Sequence, residues 1–189
     1  MKFTESFKRT DVFFVCFISL LFSLFNNNFS FAQDYYWVGG SGNWSDINHW
    51  VTTSGGTTIH ATVPGPNNNV IFDANSGFTS GNNKVTVDVI ANCHDMTWVG
   101  AQATPIIIGT ASNPLNVYGS MTLQNDMEYR ITRTNFLSND LGEEITTNGA
   151  IVGYANSDIY FDGDGSWSFM DDFTTLSRMT HRKGTLITN

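Results

Sequence analysis

Short apolar segments that alternate with polar residues, separated by turns rich in glycine and asparagine, run through most of this chain. In residues 84–90, valine occupies every second position, which indicates a strand with one buried face. The same alternation spans residues 115–123 around Gly119, and a glycine within a strand pattern suggests a bend between two strands. Because no window after residue 32 has a convincing helical period, the sequence predicts an all-β fold.

The repeated strands are compatible with two all-β architectures, a sandwich of two sheets and a solenoid. The apolar runs recur at irregular intervals of roughly 8–20 residues, without the fixed motif that marks many solenoids. Composition and spacing by themselves therefore slightly favour a β-sandwich.

Three tryptophans, Trp37, Trp44 and Trp50, lie within one stretch of glycine, asparagine, serine and aspartate. Such residues form tight turns, and large aromatic rings offer much apolar surface. One hypothesis is that the indoles stack on the sugar rings of a glycan. The other, which the surrounding turn-forming residues favour, is a structural cap in which the indoles cover the end of a β core.

The sequence WVGGSGNWSDINHW at residues 37–50, followed by VPGPNNNVIFD at residues 63–73, resembles the opening of large extracellular β-helix proteins of Gram-negative bacteria. Residues 93–98, 115–123 and 159–169 are similar as well, so the resemblance covers nearly all of the chain after residue 35. Many of these proteins are adhesin-like and are often exported by type IX secretion. Asn69 departs from the pattern, since these proteins often carry an aspartate there.

The resemblance implies a right-handed parallel β-helix, in place of the sandwich. Residues 33–83 would form an N-terminal cap region rich in tryptophan and glycine, and residues 84–189 would form the rungs. The last residues, 184–189, have a strand pattern and no capping sequence, whereas the final rung of a solenoid exposes apolar surface. We therefore expect a fragment of a longer protein; the alternative is that residues 171–189 close a small domain.

Residues 1–32 have the features of a secretory signal peptide. A basic start precedes an apolar run at residues 12–25, and Ser30 and Ala32 place small residues at positions −3 and −1 of a cleavage site before Gln33. The run counts fourteen residues (12 to 25), whereas a membrane-spanning helix needs about 20. The sequence therefore predicts a secreted or cell-surface protein with no membrane span after cleavage.

The charge of the predicted mature chain argues against nucleic-acid partners. The full sequence has 9 basic and 17 acidic residues, of which the first 32 residues contain 3 and 2, leaving 9 − 3 = 6 and 17 − 2 = 15. A net charge near −9 opposes binding to phosphate backbones, which depends on lysine and arginine. The expected partners are extracellular glycans or other surface proteins.

No residue pattern in the sequence makes a convincing catalytic site, and we expect the protein not to be an enzyme. After cleavage, Cys93 would be the single cysteine of the mature chain. We interpret it as a small buried apolar residue, with an intermolecular disulfide as the alternative. Its neighbour His94 would point to the opposite face of a strand. Neither residue belongs to a zinc-binding spacing.

Acidic residues near the C-terminus are the remaining candidates for a site. Asp162 and Asp164 open a segment that resembles a calcium loop, but Trp167 and Phe173 replace its turn glycine and its bidentate glutamate. A glycine-rich β-turn is the alternative. Apart from calcium at this loop, no cofactor is expected.

The sequence leaves three functional hypotheses. The first is a secreted structural or adhesive segment of a cell-surface β-helix protein, without catalysis. The second is a carbohydrate-binding module that uses Trp37, Trp44 and Trp50. The third, less favoured, is a β-helix polysaccharide hydrolase, because residues 171–172 form an aspartate pair and glycosidases act with two carboxylates.

Overall fold

The computed structural model describes residues 32–188, and this part of the chain coils into a parallel β-helix of about five turns. The resemblance-based prediction of a parallel β-helix is confirmed. The β-sandwich alternative is wrong, because a sandwich is built of antiparallel sheets and the named strands here pair in parallel, β3 excepted. The strands of the described chain are β1 (Gln33–Trp37), β2 (Gly42–Asn43), β3 (Trp50–Val51), β4 (Asn68–Asp73), β5 (Lys84–Val87), β6 (Ala91–Cys93), β7 (Met96–Val99), β8 (Ile106–Gly109), β9 (Leu115–Val117), β10 (Met121–Thr122), β11 (Glu128–Ile131), β12 (Arg133–Phe136), β13 (Glu143–Thr146), β14 (Asp158–Phe161), β15 (Ser166–Phe169), β16 (Arg178–His181) and β17 (Thr185–Ile187).

Three sheets form the sides of the coil, and successive strands of the chain belong to each sheet in turn. The first sheet has the order β17-β15-β13-β10-β7-β4-β1-β3, the second β11-β8-β5-β2, and the third β16-β14-β12-β9-β6. A complete rung therefore consists of one strand from each sheet, as in β4, β5 and β6. Single parallel bridges through Val152 continue the second sheet beyond β11.

Side chains at equivalent positions of successive rungs stack into columns that fill the interior. In the first sheet one column contains Val70, Met96, Met121, Ile145 and Phe169, all of which are buried. Neighbours in this column are separated by 26, 25, 24 and 24 residues (96 − 70, 121 − 96, 145 − 121 and 169 − 145). The rung repeat is thus close to 25 residues, but it is divided among three strands and unequal loops, which explains the irregular spacing of the apolar runs.

The coil begins before residue 84, where the sequence predicted that the rungs would start. β1 already pairs in parallel with β4, β2 pairs in parallel with β5, and only β3 runs antiparallel at the edge of the first sheet. The tryptophan-rich residues therefore both cap the coil and form part of it. Gly119 lies between β9 and β10, as expected for a bend between two strands.

Some corners of the coil leave no room for a side chain. A Cβ atom added at Gly163 would collide with the backbone carbonyl oxygen of Ser138 on the preceding rung, whereas a Cβ atom at Gly65 would meet only Asn68 Oδ1 at 3.5 Å. Neither glycine has a positive φ angle. The two positions therefore differ in packing space and not in the need for a left-handed backbone.

We expect Gly163→Ala to lower the free energy of unfolding by about 1–3 kcal/mol, the usual cost of overpacking. Gly65→Ala is the matched control and should change it far less. Chemical denaturation followed by circular dichroism measures both variants. Equal stabilities of the two variants would show that the close contact at Gly163 does not constrain the coil.

Candidate functional site

The three tryptophans of the cap pack on one another inside the N-terminal end of the coil. Trp37, Trp44 and Trp50 are each 0% exposed. The ring centroids of Trp37 and Trp50 lie 4.9 Å apart and those of Trp44 and Trp50 also 4.9 Å, both pairs edge to face. Trp37 Nε1 donates a hydrogen bond to the Gly40 carbonyl at 2.7 Å, which closes the glycine turn around its own indole.

This packing corrects the hypothesis that Trp37, Trp44 and Trp50 stack on sugars. A sugar ring needs an accessible indole face, and these side chains have no surface in contact with solvent. Trp98 and Trp167 are buried as well. The structural-cap interpretation agrees with the geometry, because the indoles supply the apolar area that closes the first rungs.

Within residues 32–188, the predicted calcium residues Asp162 and Asp164 belong to no group of three acidic, histidine or cysteine side chains that could hold a metal ion. The Asp162 carboxylate forms an ion pair with Arg182 at 3.0 Å, and the Arg182 guanidinium lies 4.0 Å above the Tyr160 ring. Asp164 is exposed, and its backbone N–H donates to Asn139 Oδ1 at 3.1 Å. A guanidinium thus already provides the positive charge that a calcium ion would bring to Asp162.

Of the aspartate pair suggested for a hydrolase, Asp171 is engaged in holding a turn. Its carboxylate accepts hydrogen bonds from the backbone N–H groups of Thr147 at 2.9 Å and Asn148 at 2.5 Å, and Asn148 has a positive φ of 51°. Asp171 and Asp172 also border an open cavity of about 540 Å³ near the C-terminal end of the coil, with Phe173 among its apolar lining.

Cys93 is the small buried residue that the sequence predicted. It is 0% exposed, it stacks in the third sheet against Val117, and its Sγ lies 3.9 Å from the Asn116 carbonyl. Burial, aided by the nearby Asp95 carboxylate, raises the pKa of the Cys93 thiol. Since a thiolate is the reactive form, the folded chain keeps this thiol inert.

We expect iodoacetamide to alkylate Cys93 in the mature chain at least about tenfold more slowly under native conditions than in denaturant, because both exposure and thiolate formation are suppressed. Mass spectrometry of samples quenched over time measures the rate. Equal rates in the two conditions would contradict the buried position of the thiol.

Another cluster of chemical interest joins two rungs that are not adjacent. Met96, Met121 and Ile145 stack in register, so the residues two positions earlier on these rungs are His94, Gly119 and Glu143. Gly119 has no side chain, and a Cβ atom there would collide with Asp95 and His94. The glycine therefore leaves the space through which side chains of the outer two rungs approach each other.

Ligand atoms of His94, Asp140 and Glu143 lie within 4.8 Å of one another, the one such group of three His, Cys, Asp or Glu side chains found in residues 32–188. Glu143 opens β13 and is only 8% exposed. Its Oε2 accepts a hydrogen bond from Ser120 Oγ at 2.6 Å and its Oε1 one from Ser138 Oγ at 3.1 Å. The glutamate faces inward because it shares a column with the buried Trp167.

The histidine of this cluster is held by a neighbouring carboxylate. His94 Nδ1 lies 3.0 Å from Asp95 Oδ1, and the same Asp95 oxygen accepts the backbone N–H of Ser120 at 2.8 Å. With Nδ1 as the donor, Nε2 keeps its lone pair. Imidazoles that bind metals are commonly oriented by a hydrogen bond of this kind.

Sequence reasoning examined His94 only as a partner of Cys93 and missed Asp140 and Glu143. These acidic residues are 140 − 94 = 46 and 143 − 94 = 49 positions away, about two rungs. Only the register of the coil shows that they meet. The sequence did contain one signal: Glu143 stands at an inward-facing position of an alternating strand pattern, where apolar residues are usual.

Comparisons of this chain with protein-family models, with curated proteins and with solved structures find no match.

Within residues 32–188, no helix has both the length and the apolar character required to cross a bilayer.

The burial of the indoles predicts the fluorescence of the mature chain. Its tryptophan emission should be blue-shifted and poorly quenched by acrylamide, and polysaccharides should not change it, because the rings are screened from solvent. Denatured protein is the control for full quenching. Emission that is readily quenched, and that one particular glycan protects, would restore the carbohydrate-binding hypothesis.

Proposed function

We propose that this chain is a secreted structural or adhesive segment of a bacterial cell-surface β-helix protein, and that it acts without catalysis. The observation that carries the proposal is the use of its large aromatic residues. The five tryptophans all fill and close the interior of the described coil, so the residue type best suited to binding sugars serves the stability of the scaffold.

The outer surface of the third sheet supports a structural role. Asn116 Nδ2 donates to Asn92 Oδ1 at 3.0 Å, and Asn135 Nδ2 donates to Asn116 Oδ1 at 2.7 Å. Side-chain amides thus form a ladder along three rungs, parallel to the backbone hydrogen bonds. Repeating contacts between neighbouring rungs are what stabilise solenoid proteins and give them extended, regular surfaces.

The first described strand supports export with cleavage before Gln33. The compact unit begins at Ala32, and Gln33 already pairs with Asn68 in the parallel ladder between β1 and β4. Removal of residues 1–32 would therefore leave every described strand intact. Residues 1–31, which make up nearly all of the predicted signal peptide, lie outside the described residues.

We propose extracellular glycans or other surface proteins as the partners of this scaffold. The excess of acidic residues in the predicted mature chain argues against nucleic acid, because binding to phosphate backbones depends on lysine and arginine.

Expression of the full chain in a Gram-negative host tests the export that this function requires. We expect the product outside the cytoplasm to begin at Gln33, as read by N-terminal sequencing. Ala32→Glu, which puts a large charged side chain at the cleavage position, should block processing. Retention of an unprocessed chain in the cytoplasm would contradict a surface function.

An assay of the mature chain on a polysaccharide panel separates the scaffold from the hydrolase. The proposal predicts no release of reducing ends. Release that Asp172→Asn abolishes, in a variant with an unchanged circular dichroism spectrum, would replace the scaffold with an enzyme.

A further inference from the structure

We propose that His94, Asp140 and Glu143 bind one divalent transition-metal ion, with zinc as the preferred ion, and that this ion links separate rungs of the coil. The inference does not depend on the proposed scaffold function. It rests on three observations: three donor side chains converge, Asp95 orients the imidazole of His94, and the buried Glu143 carboxylate has no ion pair within residues 32–188.

The spacing of the donor atoms suits a single ion. Ligand atoms bound to one zinc ion at about 2.0–2.2 Å lie roughly 3–4 Å apart, and those of the cluster are within 4.8 Å of one another. Asp140 is exposed, so its carboxylate can make the small movement that closes the site. The other two ligands are held, His94 by Asp95 and Glu143 by two serine hydroxyls.

The buried carboxylate provides the electrostatic reason for a cation. Glu143 is 8% exposed, and its hydrogen bonds in the described chain come from neutral hydroxyl groups. None of the ion pairs found in residues 32–188 includes Glu143 or Asp140. A desolvated negative charge is costly unless a cation or strong donors compensate it, and a bound metal ion would supply the missing positive charge.

The donor set distinguishes zinc from calcium. Calcium takes six to eight oxygen ligands, whereas one imidazole nitrogen with two carboxylates matches the mixed nitrogen and oxygen ligands of zinc. Three protein ligands leave a fourth position for water. Because His94 precedes Glu143 by two rungs, the ion would fasten non-adjacent turns across the gap at Gly119.

Titration calorimetry of metal-free mature chain with zinc chloride tests the site. We expect one ion per chain and a higher melting temperature with zinc than with EDTA. Cobalt(II) should give visible absorption bands from a nitrogen- and oxygen-ligated ion. Asp140→Asn and His94→Gln should each weaken zinc binding at least about tenfold, because even the loss of a residue that only orients a ligand typically costs about 10–100-fold in metal affinity.

Asp164→Asn is the matched control, since Asp164 is an exposed acidic loop residue outside the cluster, and it should bind zinc as the unmodified chain does. Asp140→Asn decides the test even if changes at buried positions impair folding, because Asp140 is exposed. The proposal is overturned if no stoichiometric zinc binding occurs, if Asp140→Asn binds as tightly as the unmodified chain, or if the site takes calcium in preference to zinc.

Discussion

In-register stacking of parallel rungs is the interaction on which the rest of this structure depends. A single rung has too little interior to hide its apolar side chains, so each column is stabilised only by the rung before and after it. The column from Val70 to Phe169 shows the principle, since each of its members is covered by its neighbours in the first sheet. Cys93 is a free cysteine, so these contacts hold the described chain together without its help as a cross-link.

The same dependence explains the concentration of aromatic residues at the N-terminal end. The first rung of a solenoid has no predecessor, and its apolar interior must be closed by other means. Here Trp37, Trp44 and Trp50 pack edge to face, and Phe72 stacks on Trp98 with 3.9 Å between ring centroids. The indoles that the sequence suggested for sugar binding are therefore buried in the N-terminal end of the coil.

Register also creates the cluster of His94, Asp140 and Glu143. An inward-facing glutamate is tolerated because Gly119 leaves space on the intervening rung and serine hydroxyls solvate the carboxylate. The stacking of parallel rungs in register therefore produces both the scaffold and the candidate metal site. A substitution at Gly119 would disturb both, since an added Cβ atom meets His94 as well as Asp95.

The sequence by itself determined the all-β character, the bend at Gly119 and the burial of Cys93, because side-chain alternation and turn chemistry act over a few residues. The parallel coil was expected only through a family resemblance, since apolar spacing alone slightly favoured a sandwich. Tertiary structure decided that Asp162 pairs with Arg182 and that Glu143 meets His94. Those partners are about one and two rungs away along the chain, and loops of unequal length hide the register that brings them together.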